Sequence, residues 1–286
     1  MRDPAGGGGQ LVVVATPIGN LGDLSPRARE VLDRADVVYC EDTRRSRILF
    51  SACDLKARGR LRSLREHNEA TLSVEVVDRV AAGELVALVS DAGTPGISDP
   101  GRRVVAAVAE AGLIVSTTPG PSAVVAALSV SGFEIERFVM EGFVPRRAGE
   151  RRRRFDEWAR EGRTVVFYES PQRLVTTLVE LASRFADRRV AVGRELTKVH
   201  EEVVRGTLRD VASHWADGEV RGEVVVVLEG AVATSANAEA VRASLVEELS
   251  AGASVRDAVN VVADRLGVGR RAVYDAALAI RSERGS

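Results

Sequence analysis

The feature that most constrains this chain is a unit repeated through its N-terminal part. A short apolar, β-branched run gives way to a loop of Gly, Pro and small hydroxyl residues, and then to a helix start. Residues 11–15 stop at Thr16-Pro-Ile-Gly19, and Ser25-Pro26 follows as an N-cap with proline at the first helical position. The helix is expected over 27–34, and further strands over 37–40, 85–90 and 114–118. The loops 90–101 and 119–122 lead into helices over 102–111 and 123–130. Runs this short, punctuated by Gly and Pro, read as buried strands. Strands alternating with helices call for an α/β fold whose parallel sheet is covered on both faces.

The alternation resumes with more polar strands over 138–143, 164–168, 189–193 and 223–228, and helices over 151–160, 174–185 and 208–216. This predicts a second α/β domain with a mixed sheet. Residues 231–240 are small and polar and read as a linker. Ser254 then caps a helix with Asp257 in the capping-box position, 266–269 break it, and 270–280 restart it. That spacing is helix-turn-helix-like. The expected organisation is a disordered tail at 1–10, an α/β domain over 11–121, a second over 122–230, and a linker with a small helical module over 231–286. The module either packs on the body or a dimer partner, or contacts RNA.

With 40 Lys and Arg against 41 Asp and Glu the net charge is −1, so nucleic-acid binding has to come from local patches. Cys40 and Cys53 form no CxxC pair and read as reduced thiols, and His67, His200 and His214 lie too far apart to suggest a metal site. The chain shows neither an apolar run of about 18–20 residues nor a signal-peptide core, so a cytoplasmic protein is expected.

The loops 16–23, 90–101 and 119–122 fall at the carboxyl edge of one parallel sheet, where open α/β folds bind ligands. Gly and Pro let backbone groups approach a ligand, and Ser90, Thr94, Ser98 and Ser122 offer hydrogen bonds without filling the space. GxGxxG, GxxxxGK[ST] and GxSxG are all absent, which disfavours nicotinamide, P-loop and serine-hydrolase readings.

The strings VATPIGNLGDLSPRARE from Val14, CEDTRRSR from Cys40, HNE from His67, ALVSDAGTPGISDPG from Ala87, PGPSA from Pro119, FYESPQRL from Phe167 and GRELTKVHEEVVRGTL from Gly193 occur in this order. Together they resemble the ribosomal branch of the tetrapyrrole methylase superfamily, whose members methylate a cytidine 2′-hydroxyl in 16S rRNA. Gln172 departs from the pattern, where His is the commoner residue, and is a poor catalytic candidate. The resemblance implies two α/β domains with S-adenosylmethionine in the cleft between them, and a homodimer. It assigns cofactor contacts to Pro17, Gly19, Asp23, Ser90, Asp91, Ala92, Gly93, Thr94, Ile97, Ser98, Ser122 and Ala123, with Tyr168 as a wall from the second domain.

A ribose hydroxyl is a weak acid, so a base is expected near it. Glu41, Asp42, Glu169 and Glu195 stand in motifs near strand ends, and Lys198 could hold a phosphate or a developing alkoxide. Glu41 or Glu195 could instead hold a structural ion pair with a neighbouring Arg. RNA contacts are expected from Arg44, Arg45 and Arg47, and from Arg146, Arg147, Arg151, Arg152, Arg153 and Arg154. The expected partner is 16S rRNA, in an assembled or partly assembled small subunit. Two other readings stay open: a precorrin-type methylase on the same fold, and a non-catalytic rRNA-binding assembly factor.

Overall fold

Period-2 alternation within the apolar runs decides how the first sheet is covered. A computed structural model of the chain describes residues 8–57, 59–216, 218–231, 235–266 and 268–284. Residues 1–7 of the expected tail, 232–234 of the expected linker and Gly267 of the expected helix break lie outside the described residues. The chain divides into two units, Met1–Ala126 with Arg194–Glu202, and Ala127–Gly193 with Val203–Ser286. Arg194–Glu202 therefore groups with the first unit, a return of the chain that a linear division at residue 121 does not contain.

In the first unit β1 (Gln10–Val14), β2 (Val37–Cys40), β3 (Leu61–Ser63), β4 (Leu85–Leu88) and β5 (Ile114–Thr118) lie in the order β3-β2-β4-β1-β5. All the pairings are parallel. Val12, Val14, Val38, Cys40 and Ala87 face α1 (Pro26–Arg34) and α2 (Thr43–Ala52), packing with Ala28, Leu32 and Phe50. Their neighbours Leu11, Val37, Tyr39, Val86 and Leu88 face the other way, onto Val76 and Val80 of α3 (Glu69–Ala81) and Val104 and Val108 of α4 (Arg102–Glu110). Each such Val or Leu removed from water contributes about 1.5–3 kcal/mol. Because β1 and β4 are neighbours whose following helices, α1 and α4, pack on opposite faces, their loops fall at a switch point of the sheet edge, the place where open α/β folds bind ligands.

Ser25 accepts a hydrogen bond from Ala28 N at 3.1 Å, and Pro26 opens α1, as expected. The sequence reading missed α2, β3 and α3. It also began the first strand one residue late, since Gln10 belongs to β1 and not to a disordered tail.

In the second unit, which α5 (Ala123–Ser131) enters, β6 (Phe138–Phe143), β7 (Thr164–Glu169), β8 (Arg189–Arg194), β9 (Glu202–Thr207) and β10 (Val224–Leu228) lie in the order β6-β7-β10-β8-β9. β6 pairs parallel and β10 antiparallel with β7, so the sheet is mixed. Its core joins Phe155 and Trp158 of α6 (Ala148–Trp158), Leu174, Leu178 and Leu181 of α7 (Pro171–Phe185), and Leu208 and Val211 of α8 (Leu208–His214). Trp158 stacks on Phe167 with centroids 4.7 Å apart. The sequence reading missed β9.

The C-terminal module corrects one expectation. The stretch read as a linker is already helical at Ser235, the start of α9 (Ser235–Ser250). Its Ala-rich composition favours helix more than its polarity favours loop. α10 (Val255–Leu266) and α11 (Arg270–Arg284) complete the module around Leu245, Val262, Val273 and Ala277. Ser254 caps α10 by accepting from Asp257 N at 3.2 Å, and its hydroxyl donates to the Asp257 carboxylate at 2.7 Å. Among the described residues no helix is long and apolar enough to cross a membrane, no group of His, Cys, Asp and Glu could hold a metal ion, and Cys40 and Cys53 are buried free thiols.

Candidate functional site

The loops after β1, β4 and β5 are tied to one another at the carboxyl edge of the first sheet. Thr16 N donates to Gly93 O at 2.8 Å and Gly93 N to Thr16 O at 3.0 Å. The buried Thr16 hydroxyl leans on Ser90 O at 3.4 Å, and Thr94 Oγ1 donates to Pro121 O at 3.1 Å. Gly93 has φ +82°, open to glycine at no steric cost. A Cβ on Gly120 would sit 3.0 Å from the Ala15 Cβ. Pro17, Gly19 and Ala92, with Ser122 and Ala123 at the start of α5, thus stand in or beside one tied cluster, while Asp23, Ile97 and Ser98 are exposed on its loops. Beside it the Thr118 hydroxyl is buried with no hydrogen-bond partner among the described residues. Backbone amides, short hydroxyls and an unsatisfied buried hydroxyl suit a ligand with a carboxylate, an amine and ribose hydroxyls, which is the donor and acceptor set of S-adenosylmethionine.

The returning segment closes on the first loop. Asn20 N donates to Thr197 Oγ1 at 3.1 Å. A Cβ on Gly19 would lie 2.4 Å from Lys198 Cγ and 2.7 Å from Thr197 Oγ1. Glu195 and Thr197 hold φ of 52° and 68°, a left-handed geometry that non-glycine residues adopt only where the surroundings enforce it. Lys198 Nζ donates to Glu195 Oε1 at 2.7 Å, so these catalytic candidates form an ion pair.

On the other flank of the Ser90–Gly101 stretch, carboxylates converge from separate loops. The Asp91 carboxylate accepts from Asp42 N at 3.0 Å and from the Arg45 guanidinium at 3.2 Å. Asp42 caps α2, accepting from Arg44 N at 2.8 Å and from the Arg44 side chain at 2.7 Å, and these bonds hold its carboxyl well below the usual range. Burial, reinforced by Asp91, pushes the Glu41 carboxyl up. Burial also raises Asp99 to about 6, with the neighbouring Glu41 charge adding to the shift and a hydrogen bond from Ser90 opposing it. Glu69 accepts from Gly101 N at 3.0 Å and Arg103 N at 2.7 Å, replacing the side-chain cap that Gly101 lacks at the start of α4. Asn68 Oδ1 accepts from Arg65 N at 2.7 Å. Within the HNE string Glu69 therefore braces the loop after β4, while Asn68 ties the turn before α3. These groups surround a cavity of about 620 Å³. Sequence reasoning named Glu41, Asp42 and Asp91 but missed Asp99, whose string SDP reads as an ordinary turn. Only its approach to Glu41 across the cavity marks it out.

The remaining candidates are in the second unit or on exposed helix faces. Glu169 is buried, accepts from Thr177 Oγ1 at 2.6 Å and Ser170 N at 2.8 Å, and pairs with Arg173 at 3.4 Å. It fastens the start of α7. Tyr168 stacks obliquely on Phe143 with centroids 5.2 Å apart. Arg44 and Arg45 are the partners of Asp42 and Asp91, while Arg47 is exposed on α2. Arg151 binds Glu180 at 2.7 Å and Arg154 binds Glu141 at 2.5 Å, leaving Arg146, Arg147, Arg152 and Arg153 exposed around the start of α6. Of these Arg147 reaches Glu150 at 3.4 Å.

Residues 10–212 match the Tetrapyrrole (Corrin/Porphyrin) Methylases family and residues 232–281 match the RsmI C-terminal HTH domain. The chain is 47% identical to Ribosomal RNA small subunit methyltransferase I of Mycobacterium tuberculosis, over 97% of each chain. It is 41% identical to the protein of that name from Neisseria meningitidis, over 96% of this chain and 95% of the other. Among solved structures, cobalt precorrin-4 methyltransferase superposes with a TM-score of 0.58 at 18% identity, covering 80% of this chain and 98% of that one, a likeness of fold alone.

Proposed function

The chain belongs to the tetrapyrrole methylase family, within the group of ribosomal RNA small subunit methyltransferase I, and on that premise we propose that it methylates the ribose 2′-hydroxyl of a cytidine in 16S rRNA. S-adenosylmethionine is the methyl donor. The observation that carries the substrate is the 47% identity to a small-subunit rRNA methyltransferase along almost the whole of both chains. The tied loops of Thr16, Gly93 and Thr94 support the cofactor assignment.

When bound, S-adenosylmethionine supplies a methyl group on a positively charged sulfur. Backbone around Gly19, Ala92 and Gly93, with Ser90, Thr94 and Ser122, would hold it at the strand ends, and the braces between loops keep those groups fixed. Fixed positioning is worth much of the barrier in such a displacement. Lys198, held by Glu195, presents a compact cation next to Gly19. Arg47, Arg146, Arg147, Arg152 and Arg153 bind phosphates of the substrate, which places the RNA without reading its sequence. The protein works in the cytoplasm, on an assembled or partly assembled small subunit. It is a homodimer; Phe138 and Phe143, 44% and 63% exposed on the edge strand β6, are apolar surface for such a contact.

Nucleoside mass spectrometry of 16S rRNA from cells with the gene deleted tests the proposal. Loss of one 2′-O-methylcytidine, restored by the gene on a plasmid, supports it. An unchanged nucleoside profile refutes it.

A further inference from the structure

The last helix of the C-terminal module leaves one flank uncovered. Val273, Ala277 and Ile280 of α11 are buried and pack with Leu245 of α9 and Val262 of α10. At about 3.6 residues per turn, Arg270, Arg271, Tyr274, Leu278 and Arg281 fall within roughly 100° of the helix circumference, on one side of that buried stripe. All five are exposed, Tyr274 by 47% and Leu278 by 37%. Arg271 and Arg281 form no ion pair among the described residues. Arg270 reaches Asp264 of α10 at 3.6 Å, a pair in which both side chains are more than half exposed and so held loosely. Asp275 falls outside the arc. Three guanidinium groups therefore surround an exposed ring and an exposed aliphatic side chain, over a length on the order of 16 Å. The core of the module makes no use of any of them. A basic flank with an aromatic at its middle is complementary to a polyanion whose bases offer flat faces.

The form of the nucleic acid follows from groove geometry. A helix of this kind enters the wide major groove of a DNA duplex, but the major groove of an RNA duplex is too deep and narrow for side chains to read. Unpaired RNA instead presents phosphates and splayed bases together, and its bases stack on aromatic side chains. Resting on the rRNA-methylation reading, we propose that this flank of α11 binds an unpaired stretch of small-subunit rRNA, with Arg270, Arg271 and Arg281 on its phosphates and Tyr274 stacked on a base. Leu278, one turn further along the same flank, extends the apolar platform under that base. Stacking on a ring accepts any base, so the contact supplies affinity and placement and reads little sequence. It takes no part in methyl transfer. A second copy of the chain is the poorer occupant, because a two-fold contact sets the same patch against itself and would bring the cations of one flank against those of the other.

The test uses the full-length protein without cofactor. Fluorescence anisotropy measures its affinity for a labelled unstructured RNA, for the same RNA annealed to its complement, and for the corresponding DNA duplex. Wild type is expected to bind the unpaired RNA most tightly. Tyr274→Ala weakens that binding about 10-fold, while Tyr274→Phe, which keeps the ring, stays within about 2-fold of wild type. Arg270→Ala/Arg271→Ala lowers the slope of log affinity against log salt by about 1.4, the value for two phosphates of a single strand. Melting temperatures stay at the wild-type value, because these side chains are exposed and a structural role would move them. Undiminished binding of unpaired RNA by Tyr274→Ala overturns the proposal, as does a preference of wild type for either duplex that Tyr274→Ala abolishes. Loss of self-association by Tyr274→Ala in sedimentation, with RNA affinity unchanged, assigns the flank to a second copy and overturns it too. Methylation of small subunits by wild type is assayed separately: its absence refutes the function, and the binding data, obtained without cofactor, still decide the interface.

Discussion

Lys198 lies across Gly19: a Cβ built on Gly19 would come within 2.4 Å of Lys198 Cγ. The two residues belong to loops far apart in sequence, and Thr197 completes the contact by accepting from Asn20 N at 3.1 Å. Gly19→Ala is therefore expected to destabilise the protein by about 1–3 kcal/mol, the cost of forcing a methyl group into a packed contact. Truncating the intruding chain should relieve part of this, so that the double variant Gly19→Ala/Lys198→Ala is more stable than the sum of the single changes implies. Urea unfolding of all four proteins measures the coupling, and strict additivity would show that the two loops do not press on each other.

Glu69 is 6% exposed and serves two amides at the start of α4. Glu69→Ala leaves the buried Gly101 amide and the partly buried Arg103 amide without this partner and is expected to cost about 1–3 kcal/mol. The same change should loosen the loop after β4. Hydrogen exchange at Gly101 and Arg103 should accelerate more than exchange in β1.

Asp99 gives stability a dependence on pH whose sign is fixed by the direction of its shift. Its folded pKa of about 6 lies above that of an unfolded aspartate, about 3.9. Below that lower value both states are protonated and the residue costs nothing. Between the two values the unfolded chain ionises first, so stability falls as pH rises, and it levels off above about 6. Asp99→Asn is thus expected to raise the melting temperature at pH 7.5 and to leave it unchanged near pH 4. The gain is on the order of 1 kcal/mol, allowing for solvent screening of a half-buried group. A variant equally stabilised at both pH values would contradict the shift.

The arginines around α6 separate into two kinds. Arg151 holds Glu180 at 2.7 Å, whereas Arg152 and Arg153 point into solvent. Arg152→Ala/Arg153→Ala should weaken binding to small-subunit RNA and reduce its salt slope by about 2, with an unchanged melting temperature. Arg151→Ala should lower the melting temperature. Filter binding at several salt concentrations, beside thermal melts, separates the two effects.

The parts of this molecule that were legible in the sequence are those whose cause is local. The runs at Val37–Cys40 and Ile114–Thr118 carry their strand character in consecutive residues, and Ser25-Pro26 announces α1. β3 has only the residues Leu61–Ser63, too short for any period to show. α3 is rich in Val, whose β-branching masks its helical pattern, and α9 hid in small residues that also suit a loop. In the site, glycine-rich strings pointed to the tied loops. Asp99 and the return of Arg194–Glu202 to the first unit depend on contacts between residues remote in sequence, which no string contains.

The chemical identity of the product tests the proposed reaction most directly. Purified protein, labelled S-adenosylmethionine and small ribosomal subunits lacking the modification are incubated together, and the 16S rRNA is digested to nucleosides for mass spectrometry. Label is expected in 2′-O-methylcytidine at a single site. Label in another nucleoside, or none in rRNA from a protein that binds the cofactor, would contradict it.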